Sequence, residues 1–104
     1  MKRHYDLTES QIQRQITDWL KLKRFLYMRN NSGAVKIGNR FLRFGKKGSP
    51  DLLVFRKGRC FGIEVKDAGN EQSREQIEFQ TEFEREGHTY ILARKLEDVM
   101  EVIR

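Results

Sequence analysis

Two short apolar runs joined by a tight turn constrain the fold of this 104-residue chain more than any other feature. Residues Leu52–Phe55 are continuously apolar, which is typical of a buried strand. Lys57–Gly58 indicates a turn, and Cys60–Lys66 forms the second run. Because side chains alternate along a strand, we expect Glu64 and Lys66 on one face of the second strand. The pattern predicts a pair of strands that carries two charged side chains on a largely apolar background.

Helix signals lie at both ends of the chain, and strand signals lie between them. Thr8 and Gln11 form a capping-box pattern at the start of a helix predicted over Glu9–Arg24. Ser73 predicts the start of a second helix, and Gly87 predicts its end. The other predicted elements are strands Phe25–Met28, Ala34–Ile37, Arg40–Phe44 and Thr89–Ala93, and a terminal helix Leu96–Ile103. The order α-β-β-β-β-β-α-β-α predicts an α/β fold, a mixed sheet flanked by helices, in one domain spanning residues 1–104.

Positive charge is concentrated in one part of the chain. The net charge is +6, and the stretch from Trp19 to Pro50 contains nine basic residues and no acidic residue. Such a block is typical of a surface that binds a polyanion such as nucleic acid. A solvated basic surface without a partner is the alternative interpretation. The nine residues are Lys21, Lys23, Arg24, Arg29, Lys36, Arg40, Arg43, Lys46 and Lys47.

Asp51, Glu64 and Lys66 are the candidate catalytic residues. Asp51 opens the strand that precedes the one carrying Glu64, so we expect both carboxylates to meet at one end of the sheet. Two carboxylates, a backbone carbonyl and water form an oxygen-rich site that suits Mg²⁺ or Mn²⁺. A nearby lysine can stabilise negative charge that develops on a phosphodiester. The alternative is an ordinary Glu64–Lys66 ion pair with Asp51 in a turn, but burying these charges without a metal or partner is costly.

Two further polar residues are candidates for the same site. Glu9 shares the apolar face of the predicted first helix with Ile12 and Ile16, so its carboxylate could point toward the site. Alternatively, it stabilises the helix dipole at the first turn. Gln76 shares a face of the second helix with Phe79, or it reaches back to cap the start of that helix. The sequence leaves both alternatives open.

Other features exclude several classes of protein. Cys60 is the only cysteine, so the chain cannot form an internal disulfide. No apolar stretch approaches the length of a transmembrane helix, and the charged start Met1–Tyr5 does not look like a secretory signal. We therefore expect a cytoplasmic protein without a membrane partner.

Five stretches of the sequence together resemble the VRR-NUC domain, the virus-type replication-repair branch of the PD-(D/E)XK nucleases. The resemblance covers most of the chain, and its length is similar to that of the standalone, phage-type members. The combination is specific, whereas Pro50–Asp51 alone would not be. The stretches are Glu9–Ile12, Arg29–Ala34, Gly48–Leu52, Ile63–Lys66 and Ser73–Gln76.

This resemblance implies a restriction-endonuclease-like core and metal-dependent hydrolysis of phosphodiester bonds in DNA. Lys66 would position or polarise the water and the phosphate, and Gln76 would correspond to the family's trailing glutamine. Glu9 would match the helix-borne acid of the family and is an additional candidate ligand. The implied ligands of Mg²⁺ or Mn²⁺ are Asp51, Glu64 and the backbone carbonyl of Val65.

The resemblance also implies a homodimer, similar to Holliday-junction resolvases, in which two active sites face one branched or flapped DNA during phage replication or repair. Phosphate contacts position a substrate without reading its bases, so we expect selectivity for DNA structure rather than sequence. The family has a single asparagine where this chain has Asn30 and Asn31, and the alignment of these two residues stays open. The candidate DNA contacts are Arg29, Asn30, Asn31, Lys36, Arg40, Arg43, Lys46 and Lys47.

Two functions other than a nuclease also fit the sequence. The first is a non-catalytic nucleic-acid-binding module in which the acidic cluster is structural. The second is a metal-dependent phosphohydrolase that acts on small nucleotides. The nine-residue basic block argues against the second, because a small substrate does not need so extended a positive surface.

Overall fold

A computed structural model describes residues 6–104, and within them the predicted order of helices and strands is confirmed. The start of the chain, Met1–Tyr5, for which no secretory signal was expected, lies outside the described residues. The elements are α1 (Glu9–Leu22), β1 (Leu26–Arg29), β2 (Gly33–Ile37), β3 (Arg40–Phe44), β4 (Leu52–Arg56), β5 (Arg59–Val65), α2 (Arg74–Arg85), β6 (Thr89–Ala93) and α3 (Leu96–Met100).

The strands form two separate sheets. The larger sheet has four strands in the order β1-β4-β5-β6, and the smaller one is the β2–β3 hairpin. In the larger sheet β4 pairs antiparallel with both β1 and β5, whereas β5 and β6 are parallel. The predicted mixed sheet is therefore confirmed, and the hairpin stands apart from it. Leu52 pairs with Ile63, so the turn at Lys57–Gly58 sets the register that places Asp51 next to β5.

Helix α1 begins as predicted and ends two residues early. The Thr8 hydroxyl accepts a hydrogen bond from the Gln11 N–H at 3.2 Å, and the Gln11 side chain accepts one from the Thr8 N–H at 2.8 Å. The helix was expected to reach Arg24, but Arg24 has a left-handed backbone with φ of 59°. This conformation reverses the chain, and the Phe25 N–H then donates to the Leu20 carbonyl at 3.0 Å.

The core lies between α1, α3 and one face of the larger sheet. Its side chains come from every other position of β4 and β5, as the strand period requires. Ile103 is buried although α3 ends at Met100, so the predicted extension of this helix to Ile103 is wrong. The last residues instead form a turn in which the N–H groups of Val102 and Ile103 donate to the carbonyl of Val99.

Helix α2 covers the opposite face of the sheet. Ser73 caps it as predicted, and Gly87, with φ of 91°, follows its end. Phe83 packs so closely over Gly62 of β5 that a side-chain carbon at this glycine would lie 3.1 Å from the ring. No residue of α2 is fully buried, because the helix meets the sheet through one narrow stripe and leaves its flanks exposed.

Candidate active site

Strand pairing brings the two predicted carboxylates together. Asp51 precedes the Leu52–Ile63 pair and therefore lies beside Glu64 on the neighbouring strand. Its Oδ2 accepts a hydrogen bond from the backbone N–H of Val65 at 2.8 Å. This hydrogen bond to a backbone N–H fixes Asp51 against β5, so the residue does not lie in a mobile turn. The predicted convergence at one end of the sheet is present in the structure.

Glu64 is a buried charged residue with an unusual hydrogen-bond arrangement. Glu64 is only 3% exposed to solvent. The Oε2 atom accepts a hydrogen bond from Nε2 of Gln76 at 3.0 Å. The Oε1 atom is buried and has no hydrogen-bond partner among the described residues. An orphaned buried oxygen is costly unless it binds a proton, a water or a cation.

The electrostatics of the pair follow from burial and from like charge. Burial and, after it, the negative charge of Asp51 together raise the pKa of Glu64 to about 8, against the opposing charge of Lys66. Two carboxylates that share a poorly solvated place cannot both ionise easily. The site therefore favours a bound proton or a bound cation near neutral pH.

Lys66 lies on the same face of its strand as Glu64, as the alternation predicted. Its Nζ atom is 3.9 Å from Oε2 of Glu64, and its side chain is 14% exposed. The backbone N–H of Lys66 donates to the carbonyl of Ala93 at 3.0 Å, which ties this residue to β6. The ammonium group thus lies at the rim of the carboxylate pair, where an incoming phosphate could contact it.

Gln76 performs both of the roles that the sequence left open. Its Oε1 atom accepts a hydrogen bond from the Ser73 N–H at 2.8 Å as part of the capping box of α2. Its Nε2 atom at the same time donates to Glu64. One amide side chain therefore joins the start of a helix to the buried carboxylate.

Glu9 lies in the first turn of α1 and is only half-buried. Its charge contributes to the raised pKa of Glu64, after burial and the charge of Asp51, so its carboxylate lies near the site. Oε2 of Glu9 accepts a hydrogen bond from Nδ2 of Asn70 at 3.1 Å. Both interpretations of Glu9 fit this position, since a first-turn acid can stabilise the helix dipole and also border the site.

A loop was expected over Asp67–Glu71, but sequence reasoning gave it no role in supporting Glu9. Arg94 donates to the carbonyls of Asp67 and Asn70 at 2.6 and 2.7 Å and pairs with Glu71 at 3.0 Å. Asn70 also donates to the Asp67 carboxylate at 3.0 Å. No periodic pattern marks these residues, and only the position of Asn70 shortly after Lys66 could have indicated a role near the site.

The two neighbouring asparagines occupy different environments. Nδ2 of Asn30 donates to the hydroxyl of Ser49 at 2.8 Å and to the carbonyl of Pro50 at 2.9 Å. Its backbone N–H donates to the carbonyl of Asp51 at 2.8 Å. Asn31 is exposed. Asn30 therefore holds the segment that leads into Asp51, and Asn31 is the asparagine with a free surface position.

The loop before Asp51 also contacts α2 closely. Gly48 has φ of 88°, and a side-chain carbon at this position would overlap the backbone carbonyl of Glu75. Lys47 pairs with the Glu75 carboxylate at 3.3 Å. Glycine at residue 48 thus lets the loop approach the start of α2, the helix that supplies Gln76.

The basic residues predicted to contact DNA are distributed over several surfaces. Lys46 and Lys47 lie in the loop that precedes Asp51. Arg29 lies at the end of β1, where it lines a groove of ≈ 380 Å³ with polar residues of α1. Lys36, Arg40 and Arg43 lie on the exposed β2–β3 hairpin.

Cross-strand pairing divides the hairpin into two faces, because directly paired residues point to the same side. The side that we call the basic face carries Lys36, Phe41 and Arg43. The side that we call the apolar face carries Val35, Ile37, Leu42, Phe44 and, at its end, Arg40. Arg40 is thus separated from the other two basic residues of the hairpin.

This mixed sheet has α1 on one face and α2 on the other, and it carries paired carboxylates beside a lysine at one end. A solved structure described as a VRR_NUC domain matches 93% of this chain and 96% of its own length, at 20% sequence identity and a TM-score of 0.66. The chain therefore has the VRR-NUC fold. The resemblance that its five sequence stretches indicated is confirmed at the level of the fold. No family profile and no curated protein matches the sequence.

Two features were not found within residues 6–104: a cluster of metal-ligating side chains and a membrane-spanning helix. Within residues 6–104, no group of three or more histidine, cysteine, aspartate or glutamate side chains is arranged to hold a metal ion. In the same part of the chain, no helix is long and apolar enough to span a membrane.

Proposed function

We propose that this protein is a deoxyribonuclease that hydrolyses phosphodiester bonds with the help of Mg²⁺ or Mn²⁺. The observation that carries the proposal is the pair Asp51 and Glu64, held on adjacent strands beside Lys66 in a nuclease-type fold. The catalytic residues in this proposal are Asp51, Glu64, Lys66, Glu9 and Gln76.

The donors at the site fit a hard divalent cation. The buried Oε1 of Glu64 has no hydrogen-bond partner among the described residues, so this oxygen would be available to a cation once the carboxyl group is ionised. Asp51, Glu64 and the backbone carbonyl of Val65 would hold the ion, with Glu9 as a further ligand. Mg²⁺ is commonly bound through one or two carboxylates and retains several waters, so a cluster of three acidic side chains is not required. A bound cation would also offset the burial and the charge of Asp51 that raise the pKa of Glu64.

Each side chain then has a defined task. When bound, the metal ion would polarise the scissile phosphate and make a bound water a better nucleophile. Lys66 would stabilise negative charge that develops on the phosphate oxygens. Gln76 holds Oε2 of Glu64 and so keeps Oε1 directed away from the helix cap. Asn70 holds Glu9 near the same site.

The DNA contacts proposed for the basic residues begin next to the site. Lys46 and Lys47 immediately precede the Gly48–Asp51 segment and would bind phosphates near the scissile bond. Arg29, Asn31, and the basic face of the hairpin would extend this contact. Phe41 pairs with Lys36, lies two residues from Arg43 on that face, and is 71% exposed. An exposed aromatic ring beside cations suits an unpaired base, which supports selectivity for branched or flapped DNA.

Cleavage of a branched substrate by two symmetric cuts requires two active sites, and this supports a homodimer. The homodimer and a role in phage replication or repair complete the proposal. A non-catalytic DNA-binding module remains the second candidate, and the observation that favours it is the lack of a three-ligand side-chain cluster within residues 6–104.

The test is cleavage of labelled single-stranded, duplex, flapped and four-way-junction DNA with Mg²⁺, Mn²⁺ or EDTA. Asp51→Asn should abolish cleavage while retaining the hydrogen bond from Val65. Asp98→Asn is the matched control, because the Asp98 carboxylate also accepts backbone N–H bonds, from Arg94 and Lys95, at a site on α3. Binding without metal-dependent cleavage of any substrate would support the non-catalytic module instead.

A further inference from the structure

The apolar face of the β2–β3 hairpin is not covered by the rest of the described chain. Its four apolar side chains are about half exposed, from 48% for Val35 to 57% for Ile37. Within residues 6–104, neither strand packs extensively against another helix or strand. A contiguous exposed apolar surface of this kind marks a site of association.

DNA does not match this face. Aliphatic side chains offer no donor to phosphate oxygens, and Lys36 and Arg43 point to the opposite side of the hairpin. Arg40 is the single charged residue of the apolar face. The two faces can therefore contact different partners at the same time.

A second partly apolar surface lies on α2. Phe79 and Phe83 stack with their ring centroids 5.5 Å apart, and both are only half-buried. They line a groove of ≈ 300 Å³, to which Glu82 and Glu86 also contribute. We call this surface the α2 groove. Its aromatic floor is partly buried, and its other lining side chains are the carboxylates Glu82 and Glu86 together with Lys46, Arg85 and His88. An apolar hairpin face with one arginine suits the aromatic floor and the carboxylates.

The distribution of charge favours docking of the hairpin into the α2 groove over contact between two hairpins. Residues 74–86 contain five glutamates and two arginines, whereas the hairpin and its flanks contain no acidic residue. Arg85 lies 4.0 Å from Glu86, while Glu82 forms no ion pair within the described part of the chain. Two hairpins packed through their apolar faces would offer Arg40 no acidic partner, but a hairpin in the α2 groove would place Arg40 beside Glu82.

We propose that the apolar face of one copy of the chain docks into the α2 groove of a second copy, with Arg40 beside Glu82 of that copy. Each copy contributes one hairpin and one groove, so the docking is reciprocal. It gives a closed two-fold dimer in which each contact occurs twice. Lys46 lines the groove and follows β3 by two residues, so hairpin and groove adjoin on each copy as a reciprocal exchange requires. The basic face remains open to DNA.

This proposal names the surfaces of the homodimer in the proposed function, but it does not depend on nuclease activity. Its test therefore uses the full chain without DNA and in EDTA. Sedimentation equilibrium should give twice the 12.4 kDa mass of one chain. A monomeric wild type would overturn the proposal and leave the nuclease proposal standing.

Two neighbouring positions on β3 provide matched variants. Leu42→Asp places a carboxylate on the apolar face and should yield monomers. Phe41→Asp adds the same charge one residue earlier, on the basic face, and should remain dimeric. Both side chains are at least half exposed, so neither variant removes core packing. If both variants dissociate to the same extent, or if neither dissociates, the assignment of the apolar face as the dimer interface is contradicted.

Charge exchange tests the pairing of hairpin with helix. Arg40→Glu and Glu82→Arg should each weaken dimerisation on the order of tenfold or more, and the double variant should recover it. Glu84→Arg is the control, because residue 84 lies about 200° around the helix from residue 82. If Leu42→Asp dissociates the dimer while Glu82→Arg does not, or the double variant does not recover, the hairpin docks elsewhere and the proposal is wrong.

Discussion

The carboxylate end of the four-stranded sheet and the β2–β3 hairpin carry charge in opposite ways. At this end of the sheet, Asp51 is fixed by the Val65 N–H, and Glu64 is 3% exposed. On the hairpin, every residue of both strands is exposed, and Lys36 and Arg43 extend into solvent from a face without acidic residues. The first region concentrates negative charge in a constrained site, and the second spreads positive charge over a surface.

The difference shows why single changes in the two regions have different consequences. A buried charge depends on each of its few partners, so loss of one partner is expensive. An exposed charge acts through the summed field of its neighbours, so loss of one member weakens binding gradually. The following predictions test this contrast with matched pairs of substitutions.

The largest effect should come from the lysine at the site. Lys66→Ala should slow single-turnover cleavage by about 10²- to 10³-fold, because it removes a charge directed at the developing negative phosphate. Lys36→Ala should instead weaken DNA affinity and lower the slope of log affinity against log salt by about 1. The measurements are cleavage at saturating DNA and affinity across a salt series. Equal losses of rate in the two variants would remove the distinction between site and surface.

The second prediction concerns pH. The pKa of Glu64 rises from 4.5 to about 8 on folding, chiefly through burial, so the folded chain binds this proton more tightly than the unfolded chain. The resulting stabilisation is complete below pH 4.5 and is lost as the pH rises through about 8. In EDTA, the free energy of unfolding should fall by on the order of 3 kcal/mol over this window.

Urea denaturation at several pH values measures this effect. Glu64→Gln should give a flatter pH profile, since its amide does not titrate. Glu78→Gln is the control, because Glu78 is exposed and pairs with Arg74 on the helix surface. A Glu64→Gln profile that runs parallel to wild type would show that another group causes the pH dependence.

The third prediction compares two glycines with left-handed backbones. Gly48 and Gly38 have φ of 88° and 62°, so alanine is strained at both positions. At Gly48 the new carbon would also overlap the backbone of Glu75, whereas at Gly38 it would meet no atom within 4 Å. Gly48→Ala should therefore destabilise the protein by about 1–3 kcal/mol more than Gly38→Ala in chemical denaturation. A similar loss in both variants would show that the loop relaxes freely near α2.

The smallest effect should separate the two asparagines. Asn30→Ala removes two side-chain hydrogen bonds to the loop that leads into Asp51 and should lower stability by about 1–2 kcal/mol. Asn31→Ala changes an exposed side chain and should lower stability by less than about 0.5 kcal/mol. Thermal denaturation measures both. A larger loss for Asn31→Ala would reverse the roles assigned to the pair.

The parts of the fold that depend on local pattern were predictable from the sequence. Strand alternation and the short turn at Lys57–Gly58 were sufficient to place Asp51 beside Glu64, because both rules act over a few residues. The capping boxes at Thr8 and Ser73 likewise marked both long helices. These signals are local, and the structure confirms the elements that they predicted.

Features that depend on distant packing were not predictable in the same way. The Asn70–Glu9 hydrogen bond joins residues 61 positions apart, so no periodicity could reveal it. The terminal helix was predicted to reach Ile103, yet a turn places Ile103 in the core. The separation of the β2–β3 hairpin from the main sheet also required the structure, because strand propensity does not specify a partner strand.

Titration of Mn²⁺ into the DNA-free protein tests the central claim most directly, namely that Asp51 and Glu64 together hold a divalent cation. Isothermal titration calorimetry on wild type, Asp51→Asn and Asp98→Asn would compare a site variant with its matched control. We predict one binding event in wild type and Asp98→Asn that is lost or weakened at least tenfold in Asp51→Asn. Equal binding by all three proteins, or by none, would contradict the assignment of the carboxylate pair as a metal site.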